Sequence, residues 1–141
     1  MQTTFVIETN GPGLYEFTGE VLRFVGGTGI ETGLVTLFVR HTSCSLLVQE
    51  NADPDVQRDL QAFFSRLVPR ADDPSMGFLV HRLEGPDDMP AHIKAALTQV
   101  SLSIPVSHGR PALGTWQGVY LFEHRDAPHT RHVVAQFIKS G

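Results

Sequence analysis

Two periodicities share this 141-residue chain. Residues 4–8, 34–39, 46–48, 100–106, 115–123 and 131–138 are apolar runs or alternating stretches, many of them rich in β-branched and aromatic side chains. Such stretches predict strands. Asn10-Gly11-Pro12-Gly13 ends the first of them, and residues 14–17 extend or pair it. Thr18 is placed to cap a short helix carrying Val21, Leu22 and Val25 on one face, stopped by Gly26-Gly27. Asp53-Pro54 opens the clearest helix, with Asp53 as N-cap and Pro54 at the first helical position, where no donor is needed. Val56, Leu60, Phe63, Phe64 and Leu67 form its apolar stripe, and Pro69 ends it. A third helix is predicted over residues 88–98. Strands dominate, and Ser107-His108-Gly109-Arg110 reads as a turn between two of them. The pattern predicts an α+β fold: a mixed or antiparallel, sandwich-like β-sheet with about three helices, in one domain over residues 1–141.

Composition narrows the class. At 41% hydrophobic and 18% charged residues, the chain is too apolar for a disordered tail and too polar for a membrane protein. A net charge of −4 argues against nucleic-acid binding, which relies on a basic surface. The single cysteine, Cys44, forms no internal disulfide. No basic n-region, secretory h-region or membrane-spanning run is evident, so a cytoplasmic protein is expected.

Seven histidines are the main candidates for chemistry. His41 and His81 each follow an apolar run, and His92 lies four residues after Asp88, on the same face if both are helical. Imidazole and carboxylate suit a divalent metal such as zinc, nickel, manganese or magnesium. Spacing alone favours the plainer reading, in which each histidine is a separately satisfied capped or surface residue, since no H-x₃-H spacing is present. His108, His124, His129 and His132 lie near turns or strand ends and are expected to face solvent. Asp53 and Asp55 are accounted for by the helix start, which leaves Glu50 and Asn51 in a strand-to-helix connection where site residues often sit. Trp116 and Gln117 lie in a glycine-flanked segment that offers a stacking face and hydrogen bonds. Cys44 is read as an inert buried thiol rather than a nucleophile paired with His41.

Three segments together resemble one known family. Residues 41–56 (HTSCSLLVQENADPDV), 87–94 (DDMPAHIK) and 109–121 (GRPALGTWQGVYL) are similar, in the same order, to the signature of the YjbQ-like family of secondary thiamine-phosphate synthases. The resemblance implies a small α+β domain that assembles as a homotrimer with candidate sites between subunits. It also implies a weak ability to join the pyrimidine and thiazole halves of thiamine. The matching positions here include His41, Thr42, Glu50, Asn51, His81, Asp87, His92, Trp116, Gln117, Glu123 and Arg131. Cys44 stands where the family has a small residue, and Asp88 where it often has Asn.

Residues and resemblance converge on a small metabolic enzyme. The expected metal ligands are His41, His81 and His92, with Asp87 or Asp88 orienting or ligating. Glu50 is the candidate general base, Asn51 and Asp87 complete the catalytic set, and Arg131 is placed to neutralise a departing pyrophosphate. Thr42, Ser43, Trp116 and Gln117 are the substrate-binding candidates. Expected partners are a small-molecule metabolite and further copies of the chain, with no nucleic acid and no membrane. The alternative is a non-catalytic trimer that binds a small heterocycle or anion through Trp116 and Gln117.

Overall fold

The computed structural model describes residues 1–141. Its elements run β1 (Gln2–Asn10), β2 (Gly13–Glu16), α1 (Thr18–Gly27), β3 (Gly33–Val39), β4 (Cys44–Glu50), α2 (Pro54–Leu67), α3 (Asp88–Leu97), β5 (Ser101–Ser107), β6 (Arg110–Pro111), β7 (Gln117–Glu123) and β8 (Pro128–Lys139). One 3₁₀ turn, Pro74–Met76, lies between α2 and α3. The strands form a five-stranded sheet ordered β1-β8-β3-β5-β6 and a three-stranded sheet ordered β2-β7-β4. Every named pairing is antiparallel, which gives an α+β fold without parallel crossovers. β2 pairs with β7 and not with β1, so residues 14–17 neither extend nor pair the first strand.

Alternation builds the core between the sheets. Leu102, Ile104 and Val106 of β5 are buried while Ser101, Ser103 and Ser107 are exposed, and β3 and β8 contribute Val35, Leu37, Val39, Val133, Ala135 and Phe137 in the same way. Cys44, Leu46, Val119 and Leu121 of the smaller sheet join this cluster, as do Phe17, Val21 and Val25 at α1. Phe17, not Thr18, is the α1 N-cap residue. The Thr18 hydroxyl instead donates to Glu16 at 2.7 Å and accepts the Val119 N–H at 2.9 Å, tying the helix start to β7.

β7 is buried on both faces from Gly118 onward, which explains its nearly unbroken apolar run. Its outer face lies under α2: Phe64 meets Phe122 edge-on at 5.3 Å, and Gln57 donates to the Tyr120 hydroxyl at 3.1 Å. α2 begins as the sequence predicts, with the Asp53 carboxylate accepting the Asp55 N–H at 2.9 Å ahead of Pro54. Its stripe, however, is only partly used. Phe64 packs inward, whereas Phe63 and Leu67 remain 59% and 53% exposed. The β5–β6 turn places His108 and Gly109 at φ 54° and 73°, the left-handed pair of a tight hairpin.

Candidate metal centre

The side chains capable of chemistry fall into two groups at the two ends of β4. At its start, α3 presents Asp88, which is 1% exposed, and one turn later His92 on the same face. His81, from the loop before α3, brings Nε2 to 2.7 Å from Asp88 Oδ2, and His92 Nε2 lies 3.1 Å from the same oxygen. One ligand atom from each of the three residues falls within 4.8 Å of the others. His92 Nδ1 sits 2.8 Å from the Thr42 carbonyl, which can only accept, so Nδ1 carries a proton and a neutral ring turns its Nε2 lone pair towards Asp88. Asp88 Oδ1 is held by Arg125 Nη1 at 2.8 Å. Burial alone would raise the Asp88 carboxyl, but His81, His92 and Arg125 outweigh it and hold the group below the ordinary carboxylate range. With a neutral ring, the ionised oxygen faces an imidazole lone pair. That arrangement requires a proton or a cation between them, and two nitrogens with one carboxylate oxygen fit a divalent transition metal.

Two arginines that carry no sequence signal brace this centre. Arg125 Nε donates to Asp87 Oδ2 at 2.8 Å, and the Asp126 N–H reaches the same oxygen at 2.9 Å. Burial would raise Asp87, yet these donors keep its carboxyl low. Asp87, expected in the catalytic set, thus holds Arg125, while Asp88 faces the histidines. Arg82 donates to the carbonyls of Ala71, Met76 and Leu79 at 2.8, 3.0 and 3.0 Å and so folds the loop that carries His81.

His41 stands outside the cluster. Its Nε2 accepts the His132 N–H at 2.9 Å and its ring stacks on His132, 5.8 Å between centroids. Burial, aided by Arg131 and His132, lowers its pKa. Arg131, expected to meet a leaving pyrophosphate, is 3% exposed and enclosed: Glu123 takes its Nε at 2.7 Å and its Nη2, and Ser43 Oγ lies 3.0 Å from Nη2. Ser43 is therefore occupied as well. Cys44 is buried, and burial pushes its thiol up to about 12, as an inert thiol requires.

His124 reverses its expectation. It is 3% exposed and bonded to Ser45 Oγ at 3.0 Å through Nε2. Burial, reinforced by the charge of Lys94, lowers its pKa from 6.5 to about 3. The unfolded chain takes up this proton as pH falls below about 6.5, and the folded chain does not until about pH 3. The residue therefore costs stability on acidification across that window, by up to about 1.4 kcal/mol per pH unit. Urea melts at several pH values should show a flatter acid limb for His124→Gln than for the unaltered chain. Parallel limbs would exclude His124 as the source.

The second group lies at the far end of β4, six residue steps from Cys44 to Glu50 and so about 20 Å away. Glu50 Oε2 accepts the N–H groups of Ala52 and Asp53 at 2.9 and 2.8 Å, holding the turn into α2. The Asn51 N–H reaches the Trp116 carbonyl at 3.0 Å, and Gln117 Oε1 accepts the Gly114 N–H at 2.7 Å. Trp116 itself is 64% exposed. Within one chain, then, Glu50, Asn51, Trp116 and Gln117 lie at one end of β4, and His81, Asp88 and His92 form a separate cluster at the other.

The two-sheet α+β fold of this chain matches known proteins. Residues 3–140 fit the family model described as "UPF0047 protein YjbQ-like". The chain is 52% identical over 133 residues to UPF0047 protein sll1880 of Synechocystis, covering 94% of this chain and 88% of that one. It is 39% identical over 135 residues to UPF0047 protein YjbQ of Escherichia coli O157:H7, covering 95% and 94%. A crystal structure of a YjbQ/UPF0047 family protein from Clostridium acetobutylicum superposes with a TM-score of 0.85 at 32% identity, covering 96% and 99%. Conserved hypothetical protein TT1486 of Thermus thermophilus gives 0.82 at 37% identity, with the same coverage. This chain belongs to the YjbQ/UPF0047 family. No helix is long and apolar enough to cross a membrane.

Proposed function

We propose that this chain is a divalent-metal-dependent enzyme acting on a small metabolite, with His81, Asp88 and His92 as the ion's ligands. The convergence of both histidine Nε2 atoms on Asp88 Oδ2 carries the reading. Such an ion, when bound, supplies Lewis acidity to a substrate oxygen. The chain's own residues prepare the centre: the Thr42 carbonyl sets the His92 tautomer, Arg125 pins the carboxylate, and Arg82 fixes the His81 loop. The resemblance to thiamine-phosphate synthases supports one finer reaction. There a pyrimidinylmethyl carbon loses pyrophosphate and gains a bond to the thiazole nitrogen, giving thiamine phosphate. Arg131 does not meet that leaving group, because Glu123 already encloses it.

We further read the protein as a cytoplasmic homotrimer. Phe63 and Leu67 on α2, and Phe78, Val80 and Leu83 around His81, are 53–100% exposed, an apolar surface suited to a second copy. A neighbouring copy is also the route by which Trp116 and Glu50 reach a histidine centre about 20 Å away in their own chain. The openly presented Trp116 ring supports the second reading, a trimer that only binds a heterocycle.

Elemental analysis of untagged protein, before and after chelation, tests the first reading. About one transition ion per chain, lost in His92→Ala, is expected for a three-ligand centre. No ion after incubation with zinc, nickel and manganese would overturn it. A ligand-induced Trp116 fluorescence change without turnover would favour the binder.

A further inference from the structure

A polar cavity of about 400 Å³ opens on another face of α3, lined by Ser65, Arg70, Asp87, Lys94, His124 and Asp126 among others. Two of its carboxylates are already occupied: Asp87 holds Arg125 at 2.8 Å, and Asp126 holds Arg70. Its two most enclosed polar groups are not. Lys94 is 9% exposed and its Nζ makes no hydrogen bond, while His124 is 3% exposed and bonds only through Nε2. Every side-chain nitrogen or oxygen fully shut from solvent in this protein has a partner. The unpartnered Lys94 Nζ and His124 Nδ1 therefore open onto the cavity and are the donors and acceptors it offers a guest.

We propose that this cavity binds a small, uncharged hydroxycarbonyl compound and that Lys94 Nζ captures its carbonyl carbon as an imine. The walls select the class. Asp72 and Asp73 join Asp87 and Asp126 in the lining against only Arg70 and Lys94, so a carboxylate or phosphate ligand meets net repulsion. Ser65, Arg70 and His124 Nδ1 are suited to hydroxyl groups. In the reaction the Lys94 ammonium first releases one proton to water. The amine lone pair then forms a C–N bond as the carbonyl π pair moves to oxygen, and one of the two remaining N–H protons follows to that oxygen. The C–O bond of the resulting carbinolamine then breaks, and the second N–H proton leaves with the oxygen as water, giving C=N. Enclosure holds the carbonyl against the amine, which makes the addition effectively intramolecular.

The chain provides its own controls, because its only lysines are Lys94 and the exposed Lys139. Folded protein is treated briefly with glycolaldehyde and sodium cyanoborohydride, which delivers hydride to the imine carbon and fixes the adduct. Peptide mass mapping then compares Lys94, Lys139 and the Met1 amine. Adduct at Lys94 should form severalfold faster than at the other two, and guanidinium should abolish the preference. Labelling at Lys94 no faster than at Lys139 overturns the proposal. Glyoxylate, which has the same reactive group but a negative charge, should label Lys94 less than glycolaldehyde does. The reverse order would overturn the assignment to uncharged ligands.

Discussion

Asp88→Ala should bind zinc at least about 100-fold more weakly than the unaltered chain. One carboxylate here serves two partners: Oδ2 faces both histidines and Oδ1 holds Arg125. Its loss leaves two nitrogens, a chelate missing its only charged member. Removing a residue that merely orients a ligand costs about 10–100-fold, so a ligand should cost no less. Asp88→Asn keeps an oxygen without its charge and should fall between the two. Competition titration with a chromophoric chelator measures all three, and circular dichroism reports whether the variants keep their fold. Unchanged affinity in folded Asp88→Ala would remove His81-Asp88-His92 as the centre.

Glu123→Ala should cost about 3–5 kcal/mol, the range for stranding one member of a buried ion pair. Glu123 is fully buried and bonds Arg131 twice, the Thr9 hydroxyl at 2.6 Å, and the N–H groups of His124 and Arg125 at 3.0 and 3.1 Å. Without it the Arg131 guanidinium stays enclosed with no counter-charge. Against a typical domain stability of about 5–15 kcal/mol, that leaves a marginal fold. Replacing both partners, as in Glu123→Leu with Arg131→Met, should recover part of the loss, because no charge is then left unpaired. Urea denaturation reads each variant. A loss below about 1 kcal/mol in Glu123→Ala would show the pair to be far weaker than its burial implies. Burial would raise the Glu123 carboxyl, but Arg131, Thr9 and the Arg125 N–H hold it low. Its contribution is therefore present above the unfolded value of about 4.3 and fades as pH falls below it.

Much of the fold was legible because side-chain period is a local property. The alternation of β5 and β8 and the Asp53-Pro54 start of α2 all form at or near the positions the pattern indicates. Pairing is not local: nothing in residues 14–17 states that β2 joins β7, and nothing in the α2 stripe states that Phe64 packs inward while Phe63 does not. The site divides the same way. Asp88 and His92 were legible as one pair because four residues make one helical turn. His41 looked equivalent to His81, since both follow apolar runs, but ring direction depends on the neighbouring strand, and β8 presents the His132 N–H to it. Arg125 reaches Asp87 across 38 positions of sequence, a contact no spacing rule encodes.

The contact between His92 Nδ1 and the Thr42 carbonyl has a separate consequence for how this family can vary. A peptide oxygen is present whatever side chain occupies that position, so substitutions at residue 42 leave the acceptor itself intact. Insertions, deletions or a rerouted backbone between β3 and β4 would move it and release the imidazole. Tolerance at this point should therefore be high for residue exchange and low for changes in loop length.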